Sequence, residues 1–210
     1  MSGGTILWDV DTQVDFVEPD GKLYVAGAEE AKPAMTRLVD AARRAGVVHV
    51  ASCDQHELSD PEISEQPDFE STWPPHCLLG TRGAEKIPGT KQLDPLPLPL
   101  VPVPSAILRR LLEDRREILI PKKHYGPFTN PNTETMLDVL DPDEIVLFGV
   151  ATDICDDAAV RALLLHGRRV SFVEDAARGV DESRASACVA AWRERGVRTT
   201  TAEEAAAALG

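Results

Sequence analysis

Short apolar segments rich in β-branched residues alternate with longer segments of helical period along most of the chain. These apolar segments are nearly continuous, which indicates strands that are buried on both faces. The predicted strands lie at residues 5–10, 47–52, 117–121, 144–150, 168–174 and 197–201. The predicted helices lie at about 28–45, 104–114, 132–140, 155–166, 182–195 and 202–209. This order predicts an α/β fold, a three-layer Rossmann-like domain whose mostly parallel six-stranded sheet has helices on both faces.

One long interruption breaks the alternation, at about residues 53–103. The rest of the chain shows no break that would divide it, so we expect a single domain over residues 1–210. A connection as long as 53–103 is too long for an ordinary loop and is expected to be functional. Its second half, "LDPLPLPLVPVP", is predicted to be extended rather than a strand, because proline supplies no ladder donor.

The charge of the chain argues against two classes of partner. A formal net charge of −13 gives an acidic surface that would repel nucleic acid and anionic lipid. No run of 18 apolar residues and no secretory signal is visible, so we expect a cytoplasmic protein without a membrane segment. The four cysteines are too few and too scattered for a disulfide scaffold, and we expect all of them to be reduced.

Polar residues follow the carboxyl ends of the predicted strands, where open parallel sheets bind their ligands. Asp11 follows the first strand, Asp54 and His56 the second, Lys122 the third and Cys155 the fourth. These five side chains are therefore expected to meet at one rim of the sheet.

Cys155 stands where a helix is predicted to begin. The positive end of the helix dipole favours a thiolate there, and Asp11 and Lys122 would provide a proton acceptor and a cation. A buried packing role for Cys155 is the alternative that position alone favours. Asp153, with Asp156 three residues later, has a local explanation as a helix cap.

Four motifs carry a resemblance to a known family. They are "DTQVDF" (11–16), "KKHYGPF" (122–128), "GVATDIC" (149–155) and "EDA" (174–176). In this order and over essentially the whole chain, the sequence resembles the isochorismatase-like cysteine hydrolases. The resemblance implies an isochorismatase-like domain, hydrolysis at a cysteine, and assembly as a homo-oligomer.

The resemblance also implies a catalytic triad of Cys155, Asp11 and Lys122. Lys122 rather than Lys123 matches the family motif, because of its spacing to the "YGPF" that follows. The family commonly has a non-proline cis peptide in the turn after the fourth strand, here expected at Val150–Ala151. The backbone amides of Ala151 and Cys155 are expected to form the oxyanion hole.

A metal site is predicted from the second strand end. Asp54 and His56 are two residues apart, so on extended backbone they point to the same side and could bind one ion. With His76 in "FESTWPPHC", they resemble the metal site of the nicotinamidase branch of the family. A mixed carboxylate and imidazole set is compatible with zinc, iron or manganese.

For a fourth ligand the resemblance offers two acidic residues. Glu70, shortly before "PPH", is favoured over Glu62, which stands six residues after His56. His49, His124 and His166 receive no role. Neither GxGxxG nor GxxxxGK[ST] occurs, so no nucleotide cofactor is expected.

Three aromatic residues occupy positions that the resemblance associates with the substrate pocket: Phe16, Trp73 and Tyr125. They could sandwich a flat heterocycle, although ordinary core packing is the alternative for Phe16 and Tyr125. The sequence therefore predicts a cysteine amidohydrolase that deamidates nicotinamide, a small-molecule carboxamide, to nicotinate and ammonia through a thioester.

Three alternatives stay open at this point. One is hydrolysis of another small carboxamide or an isochorismatase-like substrate, and another is a metal-dependent hydrolase in which Cys155 is incidental. The third is a non-catalytic Rossmann-like binding module.

The sequence departs from the family pattern after the nucleophile, where the family commonly has an apolar residue and this chain has Asp156 and Asp157. Asp9 lies on the same face of the first strand as Asp11 and is a candidate supporting partner for it.

Overall fold

The computed structural model describes residues 3–210. Seven strands form one sheet in the order β3-β4-β2-β1-β5-β6-β7, and every neighbouring pair is parallel. The strands are β1 (Thr5–Val10), β2 (Val48–Asp54), β3 (Leu96–Pro97), β4 (Glu117–Lys122), β5 (Glu144–Val150), β6 (Val170–Arg178) and β7 (Arg198–Thr200). The α-helices are α1 (Val14–Val17), α2 (Lys32–Ala45), α3 (Ser105–Leu112), α4 (Thr133–Leu140), α5 (Asp157–Leu165), α6 (Glu182–Glu194) and α7 (Ala202–Leu209).

The sheet separates two hydrophobic cores. Alternation along β1 sends Trp8 into the core under α3, α4, α5 and α6, and Leu7 into the core under α1, α2 and α7. Both side chains are fully buried. The three-layer α/β architecture expected from the sequence is confirmed.

The expected number of strands is wrong by one, since the sheet has seven strands rather than six. The additional strand, β3, lies in the proline-rich segment and pairs with β4 at the edge of the sheet. Proline is tolerated at an edge, where its missing N–H has no ladder partner to lose. The prediction of a purely extended segment is therefore corrected for Leu96–Pro97.

Two predicted helices begin with tighter or wider turns. The segment predicted at 28–45 starts as a 3₁₀ turn, Ala28–Ala31, before α2. The segment predicted from 155 is preceded by a π-helical turn, Thr152–Asp156, and α5 begins only at Asp157. Gly167 and Gly196 follow α5 and α6 with positive φ angles, as expected of glycines that end helices.

A membrane-spanning helix would need about 18 apolar residues in one helical segment. No helix within residues 3–210 combines that length with that apolar character.

Candidate active site

The ends of β1, β2 and β4 bring three charged side chains into contact. Lys122 Nζ lies 2.8 Å from Asp11 Oδ2 and 2.5 Å from Asp54 Oδ1. The hydroxyl of Ser52 donates a hydrogen bond of 2.7 Å to Asp11 Oδ1. All four side chains are buried. Lys122 is thus shared by the acid assigned to catalysis and the acid assigned to metal binding.

Burial and charge act in opposite directions on these groups. Burial raises the pKa of Asp11 above its ordinary value, although the positive charge of Lys122 opposes the shift. Burial would lower the pKa of Lys122, but Asp11 and Asp54 raise it well above its usual range. Lys122 is therefore a permanent cation, and it holds the pKa of Asp54 well below the ordinary value against the effect of burial.

Cys155 lies on the π-helical turn that follows β5. The Val150–Ala151 peptide is cis, as the family resemblance implied, and Ala151 O accepts from the backbone N–H groups of Ile154 and Asp156. The thiol is 7% exposed at the wall of a pocket that Ala151 also lines. Burial raises the pKa of the thiol well above its ordinary value, and Lys122 acts in the opposite direction. The negative charge of Asp11 acts in the same direction as burial.

The two acids on either side of Cys155 do not form a helix cap. The Asp153 carboxylate accepts from the backbone N–H groups of Val180 and Asp181 and from Arg184 Nη2, so it ties the end of β6 to α6. Asp156 is fully buried rather than solvent-facing. The predicted capping pair is therefore wrong, because neither carboxyl group makes a capping hydrogen bond to its own helix.

Asp54, His56 and His76 form a buried cluster of possible metal ligands, each offering one atom within 4.8 Å of the others. His56 Nε2 and His76 Nε2 lie 3.8 and 3.7 Å from Asp54 Oδ2. His76 Nδ1 is 2.7 Å from the Pro74 carbonyl oxygen, a contact that leaves Nε2 as the lone-pair nitrogen. Neither ring nitrogen of His56 has a hydrogen-bond partner within residues 3–210. Buried, unpartnered imidazole nitrogens beside a carboxylate fit a divalent cation.

The structure does not bring Glu70 to this cluster. Glu70 is exposed, because Asp68 Oδ1 accepts from the backbone N–H of Glu70 and of the next two residues and closes a tight turn. Glu62 is buried instead and lines the pocket beside Asp54. Its Oε2 lies 3.0 Å from His124 Nδ1, a histidine to which the sequence gave no role. This placement corrects the preference for Glu70.

A pocket of about 190 Å³ connects the cysteine with the cluster. This volume is below the roughly 300–1,000 Å³ of sites for drug-sized ligands, so the pocket suits a small molecule. The three aromatic residues expected there, Phe16, Trp73 and Tyr125, all line it. Phe16 packs against His76 with ring centroids 5.4 Å apart, whereas Tyr125 is 47% exposed at the mouth. Further apolar lining comes from Leu23, Tyr24, Val25, Phe69, Val150, Ile154 and Val180.

Two residues that sequence reasoning missed hold the site in place. Gln13 donates from Nε2 to the backbone oxygen of Asp54 and accepts from its N–H, so it fixes the end of β2. Asp15 accepts from the backbone N–H of Cys77 and so anchors the segment that carries His76. Both lie in the "DTQVDF" motif, whose buried polar residues were the available signal.

Asp9 contacts neither Cys155 nor the metal cluster directly. Its carboxylate accepts from Thr12 Oγ1 at 2.8 Å and from Lys86 Nζ at 2.9 Å, and His49 Nε2 lies 3.7 Å away. Burial raises the pKa of Asp9, but Lys86 and His49 outweigh it and lower that pKa. Lys86 also donates to the Ser52 carbonyl oxygen, so this ion pair supports the strand end from which Ser52 donates to Asp11.

Comparison with known proteins agrees with the geometry. The family model described as the isochorismatase domain matches residues 5–204. The chain belongs to the isochorismatase family. Solved members of similar fold include the pyrazinamidase/nicotinamidase of Streptococcus mutans, with a TM-score of 0.74 at 21% identity, covering 94% of this chain and 100% of that one. The pyrazinamidase of Pyrococcus horikoshii in complex with zinc has a TM-score of 0.71 at 22% identity, covering 94% and 98%.

Named relatives with similar sequences include nicotinamidases. The nicotinamidase/pyrazinamidase of Mycobacterium tuberculosis is 40% identical over 76 residues, which are 36% of this chain and 40% of that protein. A probable inactive nicotinamidase of Arabidopsis thaliana is 23% identical over 203 residues, covering 95% and 93%. The match to the mycobacterial relative therefore spans less than half of this chain and less than half of that protein.

Proposed function

We propose that this chain is a cysteine amidohydrolase that deamidates nicotinamide to nicotinate and ammonia. The observation that carries the proposal is one small aromatic-lined pocket in which Cys155 faces the Asp54, His56 and His76 cluster. Asp11 and Lys122 lie buried behind that pocket. The named relatives from M. tuberculosis and S. mutans support this branch of the family.

In the first half of the reaction, Asp11 removes the thiol proton of Cys155 and the sulfur attacks the carboxamide carbon. The backbone amides of Ala151 and Cys155 would donate to the developing oxyanion. Asp11 then protonates the amide nitrogen, the C–N bond breaks, and ammonia leaves while the acyl group stays on sulfur as a thioester.

In the second half, a water molecule loses a proton to Asp11 and attacks the thioester carbon. The C–S bond breaks, the proton returns to the sulfur, and the acid is released. Lys122 stays cationic throughout, so it offsets the negative charge of Asp11 and of the thiolate when both are present in this buried space.

A divalent ion fits the residues at the second half of the pocket. Asp54, His56 and His76 would hold it, and Glu62 would complete or support this ligand set. When bound, such an ion supplies a fixed positive charge that attracts the ring nitrogen of the substrate and orients its amide.

The charge of the pocket favours a neutral substrate. Among the described residues that line it, Asp54 and Glu62 are the acids, and none is a lysine or an arginine. Lys122 is already shared by two carboxylates. Apart from the proposed ion, a substrate carboxylate would therefore meet no lysine or arginine among these lining residues, which favours a neutral carboxamide over an isochorismate-like acid. Four free cysteines fit the reducing cytoplasm in which we place the enzyme. We also propose that it assembles as a homo-oligomer.

The test is ammonia release from nicotinamide by the zinc-loaded protein, with Cys155→Ala alongside and a plain aliphatic carboxamide as a control substrate. We expect turnover of nicotinamide and a loss of at least about 10³-fold in kcat in Cys155→Ala, since loss of a nucleophile removes the covalent route. We expect little turnover of the aliphatic amide.

Two results would contradict the proposal. Full activity in Cys155→Ala together with loss on chelation would identify a metal hydrolase in which the cysteine is incidental. Equal turnover of the two amides would remove nicotinamide as the preferred substrate while keeping the cysteine chemistry.

A further inference from the structure

Asp156 directly follows the nucleophile and is fully buried. Neither of its carboxyl oxygens has a hydrogen-bond partner within residues 3–210. Its backbone N–H donates to Ala151 O at 3.1 Å, within the π-helical turn. An ionised carboxylate in such a buried position would be costly, because it accepts no hydrogen bond from the described residues.

The surroundings of Asp156 are already negatively charged. Besides Asp156, the buried acids at the ends of β1 and β2 include Asp9, Asp11 and Asp54. Two lysines pair with these three acids: the partly buried Lys86 with Asp9, and the buried Lys122 with Asp11 and Asp54. A negative charge on Asp156 would have no such partner among the described residues.

Burial and the neighbouring negative charges both favour the neutral form of Asp156. Burial is the largest cause that raises its pKa well above the ordinary value, and the negative charge of Asp11 is the next. Asp9, also from β1, and Asp153, from the same turn, act in the same direction. The nearby Thr152 hydroxyl favours the ionised form and offsets them only in part.

We propose that Asp156 carries its proton in the active enzyme and that loss of this proton switches the nucleophile off. The inference rests on the proposed cysteine mechanism, and it assigns Asp156 the role of a positioning residue. As a neutral acid it leaves Lys122 free to balance Asp11 and the Cys155 thiolate. Once ionised it adds an anion beside both groups and makes removal of the thiol proton harder.

Asp156→Asn is the informative substitution, because an amide has the shape of the neutral acid and cannot ionise. Asp157→Asn is the matched control: it removes an acid one residue further on, whose carboxylate accepts from Trp192 Nε1 and lies 3.6 Å from Arg161. The zinc-loaded full-length protein is used throughout.

The first readout is the pH profile of kcat/KM with nicotinamide. We expect Asp156→Asn to stay within about threefold of the wild type near neutral pH. On the alkaline side we expect the wild type and Asp157→Asn to lose about tenfold per pH unit, while the plateau of Asp156→Asn extends further. Superimposable alkaline limbs, or a 100-fold loss in Asp156→Asn at neutral pH, would overturn the inference.

Two further readouts need no turnover, so they separate this inference from the proposed substrate. Infrared difference spectra should show the C=O stretch of a neutral carboxylic acid at pH 7 in the wild type and in Asp157→Asn, but not in Asp156→Asn. Because the folded state holds the Asp156 proton above the unfolded pKa of about 4, wild-type stability should fall relative to Asp156→Asn as pH rises.

The Tm of the wild type should fall relative to that of Asp156→Asn by about 3–5 °C per pH unit, between pH 5 and the pKa of Asp156 in the folded state. A pH-independent gap together with an absent infrared band would show that Asp156 is ionised and end the inference, whatever the substrate proves to be.

Discussion

At the scale of single residues, the role of a buried polar side chain depends on the distant chain segment that it contacts. In the "DTQVDF" motif, Asp11 contacts Lys122, Gln13 holds the backbone of Asp54, and Asp15 holds Cys77. Each partner lies at least 41 residues away in the chain. The sequence indicated that this motif matters, but only the fold assigns a separate task to each of its polar residues.

The choice between Glu62 and Glu70 gives a prediction at this scale. Glu62 is buried beside the cluster and its pKa is raised, first by burial and then by the charge of Asp54, whereas Glu70 is held in solvent. We expect Glu62→Gln to weaken zinc binding by about 10- to 100-fold, the range found when groups that support metal ligands are lost. The measurement is the zinc dissociation constant by competition with a chelator.

Glu70→Gln is the matched control, since it makes the same chemical change on the same loop. It should leave the zinc dissociation constant within about twofold of the wild-type value. Equal weakening in the two variants would mean that the loop rearranges on metal binding and that Glu70 reaches the ion after all.

The same pair shows where sequence reasoning stopped at the residue scale. The pairing of Asp54 with His56 was predictable from the sequence, because residues two apart on an extended strand point to the same side. The choice of the acid depended on the turn closed by Asp68, whose three backbone hydrogen bonds leave Glu70 outside. No periodicity encodes such a turn.

At the scale of elements, the local patterns were sufficient for the six predicted strands and failed where an element is defined by its neighbour. Strand β3 is two residues long, and it is a strand only because Leu96 and Pro97 pair with β4. A π-helical turn, Thr152–Asp156, likewise stands where the sequence predicted the start of a regular helix. The carboxyl-edge cleft was predictable because parallel strands end at the same side.

Gly149 gives a prediction for the pairing of β1 with β5. It has φ +148°, and a Cβ atom built there would lie 2.1 Å from the Val10 carbonyl oxygen, a backbone atom that cannot move aside alone. We expect Gly149→Ala to lower the free energy of unfolding by about 3 kcal/mol or more, from overpacking and backbone strain together. Chemical denaturation of the purified variant measures this change.

Gly46 provides the comparison, because it also has a positive φ, +68°, but nothing lies within 4 Å of its added Cβ. Gly46→Ala should cost only about 1–2 kcal/mol, the strain of a left-handed alanine. A cost for Gly149→Ala no larger than this would mean that β1 and β5 separate easily, and that the strand ends carrying Asp11 and Cys155 are not rigidly joined.

At the scale of the whole molecule, the active site is where separate chain segments are drawn to one edge. Asp54 ends a central strand, whereas His76 belongs to the long insertion that folds back over that edge. Near His76 the insertion is held by hydrogen bonds from Cys77 N–H to Asp15 and from His56 N–H to Cys77 O, and by the packing of Phe16 on His76. An ion that bridges the strand and the insertion would therefore stabilise the folded chain as a unit.

This coupling predicts a metal-dependent Tm. At a zinc concentration about 100-fold above the dissociation constant, binding to the folded state alone contributes about 2.7 kcal/mol. For a chain of this size that energy corresponds to a rise of about 5–10 °C, measured by thermal unfolding with and without zinc.

His56→Ala should abolish the rise. His166→Ala removes a histidine that stacks on Phe128, far from the cluster in the fold, and should keep the full rise even if its starting Tm is lower. An undiminished rise in His56→Ala would locate the ion elsewhere, and the bridge between strand and insertion would then have to rest on protein contacts alone.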